Sequence, residues 1–188
     1  MRMMARLARA LFQVLACRLR EGPRLPSWTF AFEWIVRFLR VDWEASAGGD
    51  IPALRRELDS RFYPPDFARK VKVSDEVLAG LPARWFVRTG AERTDRVVLY
   101  LHGGSFLYGS ARTTHAELIA RLAFESGVAA VGVDYRLAPE HPYPAALEDA
   151  TRAFEALVAT GLAPERIVIG GDSSGGNLAL ALQLVLRD

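Results

Sequence analysis

The hydrophobic pattern changes period once along the chain. Up to about residue 62, apolar side chains return every three or four positions, the spacing of helices that bury one face. Leu7, Leu11, Val14, Leu15 and Leu19 share one face of a predicted helix over 3–20, while Arg2, Arg6, Arg9, Gln13 and Arg20 lie largely elsewhere. Gly22, Pro23 and Pro26 interrupt it. Ser27 is placed to cap a second helix running to about residue 40, apolar over much of its circumference through Trp28, Phe30, Phe32, Trp34, Ile35, Phe38 and Leu39. Small polar residues at 44–49 predict a loop. Asp50 and Pro52 open a third helix with Leu54, Leu58 and Phe62 on one face, closed by Tyr63-Pro64-Pro65.

From residue 70 the pattern becomes short apolar runs alternating with helical periods. Residues 70–74 and 84–89 read as strands separated by a turn around Gly80 and Pro82, and 93–96 as a polar turn. Val97-Val98-Leu99-Tyr100-Leu101 and residues 128–133 are continuously apolar, as parallel strands covered on both faces are. Between them, Thr113 or Thr114 caps a helix carrying Leu118, Ile119, Leu122 and Ala123, which stops before Gly127. Pro144 opens another helix, with Leu147, Ala150, Phe154 and Leu157 on one side and Gly161 at its close. Ile167-Val168-Ile169 is the last strand, followed by a helix former from Asn177 to Leu186. The order predicts a helical region at 1–69 and an α/β core with a mostly parallel sheet at 70–188.

Composition narrows the function classes. The chain has 188 residues, 51% hydrophobic and 24% charged, enough for a domain with a real core. A formal charge of +2 does not argue for nucleic acid. A single cysteine, Cys17, excludes an internal disulfide framework and fits a reducing, cytoplasmic compartment. The basic start and the apolar stretch at 10–17 are read as an amphipathic helix rather than a signal peptide or lipid-attached cysteine, because Arg18 and Arg20 follow at once. No apolar run reaches the roughly 18 residues needed to span a bilayer, so stable membrane insertion is not expected. No cluster suggests a metal site, and no cofactor is expected.

Two glycine-rich turns carry the chemistry. Gly171-Asp172-Ser173-Ser174-Gly175 lies between a strand and a helix, the context of a nucleophile elbow. There the serine stands on a sharp turn and the glycines remove side chains that would collide, with Gly176 letting the helix approach the sheet. Ser173 is the candidate nucleophile, and Asp172 should point away from it. The second turn, His102-Gly103-Gly104-Ser105-Phe106, follows a buried strand and can aim backbone N–H groups at a developing oxyanion. Gly103, Gly104 and Ser174 are the candidate donors. His102, Asp134 and Ser173 also stand in the chymotrypsin chain order, but that fold is all-β and its motif runs Asp-Ser-Gly. No glycine turn continues into Gly-Lys-Ser/Thr, so a phosphate loop is unsupported.

The two turns, together with Asp134-Tyr135-Arg136-Leu137-Ala138-Pro139-Glu140-His141-Pro142-Tyr143-Pro144-Ala145-Ala146, resemble the hormone-sensitive-lipase-like branch of the α/β-hydrolases, mostly bacterial carboxylesterases. The likeness covers about residues 70–188 well and the N-terminal part loosely. It implies an α/β-hydrolase fold with an N-terminal helical cap, hydrolysis of small to medium acyl esters, and a small-molecule ester as the partner. Ser105 stands where many relatives carry a third glycine. In that fold the triad runs Ser, Asp or Glu, His, yet no histidine follows Ser173 and the one acid after it is Asp188. The expectation is therefore a chain cut before its acid and base, with the C-terminal part of the fold absent. On its own it is expected to be inactive and, with 167–169 left as an apolar edge, prone to association. His102 is read as holding the oxyanion loop, His115 as a surface or capping residue and His141 as ordering a loop. The alternative is a non-catalytic small-molecule-binding protein on a hydrolase scaffold.

Overall fold

The computed structural model describes residues 2–46, 50–60, 70–91 and 95–187. Two compact units divide the chain, Met1–Leu54 and Arg55–Asp188.

In the first unit α1 (Arg2–Glu21) and α2 (Phe30–Ser46) form an antiparallel hairpin. Its register is visible in the polar pairs Arg6–Asp42, Gln13–Arg37 and Arg18–Glu33. Ala10, Val14 and Val41 are buried, and Trp34 Nε1 donates to the Leu7 carbonyl. The second helix starts later than predicted. Ser27 lies in a turn, and Thr29 instead accepts the Phe32 N–H through its hydroxyl. It also ends later: residues 44–46 continue the helix rather than opening a loop, since no Gly or Pro interrupts it there. α3 (Ile51–Ser60) begins behind Asp50, whose carbonyl accepts the Leu54 N–H. Phe62 and Tyr63-Pro64-Pro65, its predicted end, lie outside the described residues.

The second unit is built on five strands: β1 (Val71–Leu78), β2 (Leu81–Arg88), β3 (Val97–Leu101), β4 (Ala129–Val133) and β5 (Ile167–Gly171). Their spatial order is β1-β2-β4-β3-β5. β3 pairs in parallel with β4 and β5, while β2 runs antiparallel to both β1 and β4, so the sheet is mixed. β1 and β2 are longer than predicted because their turn is only Ala79-Gly80, both at positive φ. That is the twist a two-residue hairpin favours, and it leaves Pro82 inside the strand opposite Val77.

β3 shows why its sequence lacks alternation. Val97, Leu99 and Leu101 pack on the side of α5 (Ala145–Ala159) and α6 (Ser174–Arg187), with Phe154, Leu157 and Leu182. Val98 and Tyr100 face α4 (Ala116–Ser126) and its Ile119 and Ala123. Helices thus cover both faces, and the strand is apolar on both. Gly127, at φ 68, terminates α4. Thr113 and Thr114 are not its side-chain caps: His115 holds the N-cap position, and the Thr114 hydroxyl bonds to Ser110. No described helix is long and apolar enough to cross a membrane.

Candidate active site

Parallel pairing of β3 with β5, Leu101 opposite Gly171, brings the two glycine turns side by side at the C-terminal ends of both strands. After β5 the chain passes through Asp172 to Ser173, which is exposed and held at φ 51, then enters α6. A non-glycine residue in this left-handed region costs about 1–3 kcal/mol and persists where the surroundings impose it. They do so here. A Cβ on Gly175 would lie 2.0 Å from the Leu101 carbonyl oxygen, and one on Gly171 would lie 2.5 Å from that same oxygen. At Gly176 the nearest atom would be 3.3 Å away, so Gly175 rather than Gly176 marks the closest approach of helix and sheet.

The turn after β3 is also left-handed. Gly104, Ser105 and Phe106 have φ 128, 56 and 59, and the Gly104 carbonyl accepts the Leu107 and Tyr108 N–H groups. A Cβ on Gly104 would sit 1.9 Å from the Tyr108 carbonyl oxygen, so only glycine fits. Ser105 takes the strained angle that a third glycine would take without cost.

Asp172 links the two turns. Its Oδ1 accepts the Tyr100 hydroxyl at 2.9 Å and the Gly103 N–H at 3.0 Å, and His115 Nε2 lies 3.4 Å from Oδ2. Burial pushes this carboxyl up, but the Tyr100 bond, the His115 charge and the Gly103 N–H outweigh it and hold the pKa below the ordinary value. Burial and the bond to Asp172 together raise the Tyr100 phenol. The Gly103 N–H, one of the expected oxyanion donors, donates to Asp172 in this structure. Among the described residues the N–H groups of Gly104 and Ser105 donate to no acceptor. Ser174, expected to matter only through its N–H, also accepts the Phe106 N–H on its hydroxyl at 3.4 Å.

The histidines have separate surroundings. His102 is fully buried, bonds through Nδ1 to the Gly103 carbonyl at 2.8 Å and stacks on Tyr135 with ring centroids 4.3 Å apart. Burial lowers its pKa, and the ring is neutral. Tyr135 in turn donates its hydroxyl to the His102 carbonyl. His115 is partly buried and holds the N-cap position of α4 without a side-chain cap bond; Nδ1 meets the Thr114 hydroxyl and Nε2 faces Asp172. His141 is exposed. None of the three hydrogen-bonds the Ser173 hydroxyl.

The stretch from Asp134 to Ala146 braces these turns. Asp134 accepts the Ala111 N–H, the Ser110 hydroxyl and Arg112. Arg136 bonds to the buried Asp149 of α5. Ala138 donates to the Phe106 carbonyl, and Arg55 bridges the Leu107 and Ala138 carbonyls and Glu140. Periodicity gave no sign of Tyr100, Tyr135 or Arg55 as parts of the site; only the shape of the fold assembles them. Among the described residues no group of three or more His, Cys, Asp or Glu side chains is arranged to hold a metal ion.

Comparison with known proteins bears on the fold. Residues 98–188 match the model of a family described by the alpha/beta hydrolase fold. An esterase of Acinetobacter venetianus is 39% identical over 137 residues, covering 72% of this chain and 44% of that protein. An acetyl-hydrolase of Streptomyces hygroscopicus is 41% identical over 162 residues, covering 83% and 51%. Among solved structures, an esterase from the bacterial hormone-sensitive lipase family superposes with a TM-score of 0.62 at 32% identity, over 97% of this chain and 52% of that one. The chain spans about half the length of the curated relatives it matches. By sequence and by fold, the chain carries the α/β-hydrolase fold, and the proteins it is similar to include an esterase of the bacterial hormone-sensitive lipase family.

Proposed function

We propose that Ser173 is the nucleophile of a carboxylic ester hydrolase acting on small to medium acyl groups. The observation that carries the reading is an exposed serine held at φ 51 between β5 and α6, beside a left-handed glycine turn. In this reading Ser173 Oγ attacks the ester carbonyl carbon and gives its proton to a base. The carbonyl oxygen becomes an oxyanion that accepts N–H bonds from Gly104 and Ser174, with the unpaired Ser105 N–H beside them. Gly103 contributes through its bond to Asp172, which holds the turn in place. Collapse of the tetrahedral intermediate expels the alcohol and leaves an acyl-serine, which water cleaves by the same route.

The base is none of the three histidines, each of which is engaged or placed elsewhere. Acid and base belong to sequence outside these 188 residues, with residues 1–69 as an N-terminal helical cap region and 70–188 as the first half of the core. The names of the relatives, esterase and acetyl-hydrolase, support hydrolysis and give no support to a non-catalytic binder.

A fluorophosphonate probe tests the assignment in the whole protein. Labelling should map to Ser173 and vanish in Ser173→Ala; label that survives this substitution overturns it. These 188 residues alone should hydrolyse p-nitrophenyl esters only at the residual level that an oxyanion site retains without its triad, about 10³–10⁴-fold over water.

A further inference from the structure

We infer that α1 lies on an anionic lipid surface, with its exposed apolar stripe in the interface. Helix α1 buries one side against α2 through Ala10, Val14, Arg6–Asp42 and Arg18–Glu33. A different side is apolar and open. Met4, Ala8, Phe12, Leu15 and Leu19 follow one another at four, four, three and four residues, so they form one stripe. Met4 is 71% exposed, Phe12 73% and Leu19 86%. From Met4 to Leu19 the stripe runs about 22 Å along the helix.

Charge identifies the occupant. Exposed Arg9 and Arg20 border the stripe, and Glu21 is the one acid of the helix. Between Arg2 and Ser46 the sequence carries eight arginines and no lysine against four acids, although the chain as a whole has a formal charge of only +2. The positive charge is thus concentrated on the hairpin that carries the stripe. A second copy docking through this face would bring two cationic flanks together. An anionic headgroup layer instead pairs with the arginines while its acyl boundary takes the apolar side chains, the arrangement of a helix lying in a membrane interface. No crossing of the bilayer is involved. The inference is independent of the chemistry at Ser173.

Vesicle co-sedimentation tests it, with no readout of activity. The protein should pellet with phosphatidylglycerol-containing vesicles, pellet weakly with phosphatidylcholine alone, and be released by salt. Arg9→Gln and Arg20→Gln should each weaken binding about fivefold. Phe12→Ser and Leu19→Ser should each weaken it about tenfold or more. Both positions are exposed, so unchanged circular dichroism and melting confirm that the fold is kept. No sedimentation with anionic vesicles, or equal sedimentation with both kinds, overturns the inference. So does light scattering that shows a dimer abolished by Phe12→Ser in protein that ignores vesicles, because the face is then a contact between copies.

Discussion

The Gly103 N–H and the Asp172 carboxylate, 69 residues apart, meet at 3.0 Å and fasten the turn after β3 to the elbow after β5. The same oxygen holds the hydroxyl of Tyr100, which is 6% exposed. Asp172→Ala leaves both donors unpaired, and should cost about 1–2 kcal/mol in thermal or urea unfolding. In the whole protein it should also lower kcat for p-nitrophenyl butyrate by about 10²-fold with little change in KM, because the Gly104 turn loses its anchor. Unchanged kcat would show that the turn holds itself.

Strain at Ser173 gives a prediction of opposite sign. Ser173→Gly removes a side chain from a left-handed position and should stabilise the fold by about 1 kcal/mol while abolishing any serine chemistry. Ser173→Ala keeps the strained Cβ and should leave the melting temperature nearly unchanged. A melting series on the two variants separates them.

Gly104→Ala places a Cβ against the Tyr108 carbonyl. The turn must shift, and losing the alignment of one donor there should cost about 10²–10³ in kcat. Fluorophosphonate labelling rates for the variant and the parent would measure the loss. Equal rates would remove Gly104 from the oxyanion site.

Much of this was legible because its determinants are local. β3 and β4 announce themselves as uninterrupted apolar runs, which only strands covered on both faces carry. The elbow is legible because Ser173 can take its angle only between residues as small as Gly171 and Gly175. What was not legible depends on partners distant in sequence. The bond from Gly103 to Asp172 is one such case, because nothing near Gly103 in the chain shows that Asp172 folds over it. Ser27 and Thr29 are equally good caps by residue type, and the neighbouring turn decides between them. The turn expected around Gly80 and Pro82 falls at Ala79-Gly80 instead, a placement hidden because alanine rarely takes a positive φ.

Stability should fall in two stages on acidification. His102 is buried and neutral, with its folded pKa below the ordinary 6.5, so the unfolded chain binds the extra proton first. Its contribution is complete above 6.5 and declines as pH falls through that value toward the folded one. Asp149 is fully buried, and although burial raises its carboxyl, the bonds from Arg136 and Arg152 hold it below the ordinary 3.8. Asp172 is depressed likewise. Their contributions are present above 3.8 and lost as pH falls below it. Urea midpoints measured across this range should show a shallow decline, then a steep one; His102→Gln should remove only the shallow step.

Among the described residues β5 is an edge strand, and Val168 on it is 58% exposed, with Leu184 and Val185 of α6 at 55% and 46%. Such an edge favours strand-to-strand association. The 188-residue protein should therefore show concentration-dependent light scattering, and Val168→Lys should reduce it. Identical scattering from both would place the association elsewhere.

The pairing of β3 with β5 also has a kinetic meaning. The hairpin of β1 and β2 closes within a few residues, but the two turns of the site become neighbours only after helices α4 and α5 and strand β4 have been threaded between them. Pairings so distant in sequence form late, because the loop must be closed before the contact is made. The candidate site is thus absent from a chain in which β3 and β5 have not yet paired. The onset of Ser173 labelling during refolding of the whole protein would time the completion of the site.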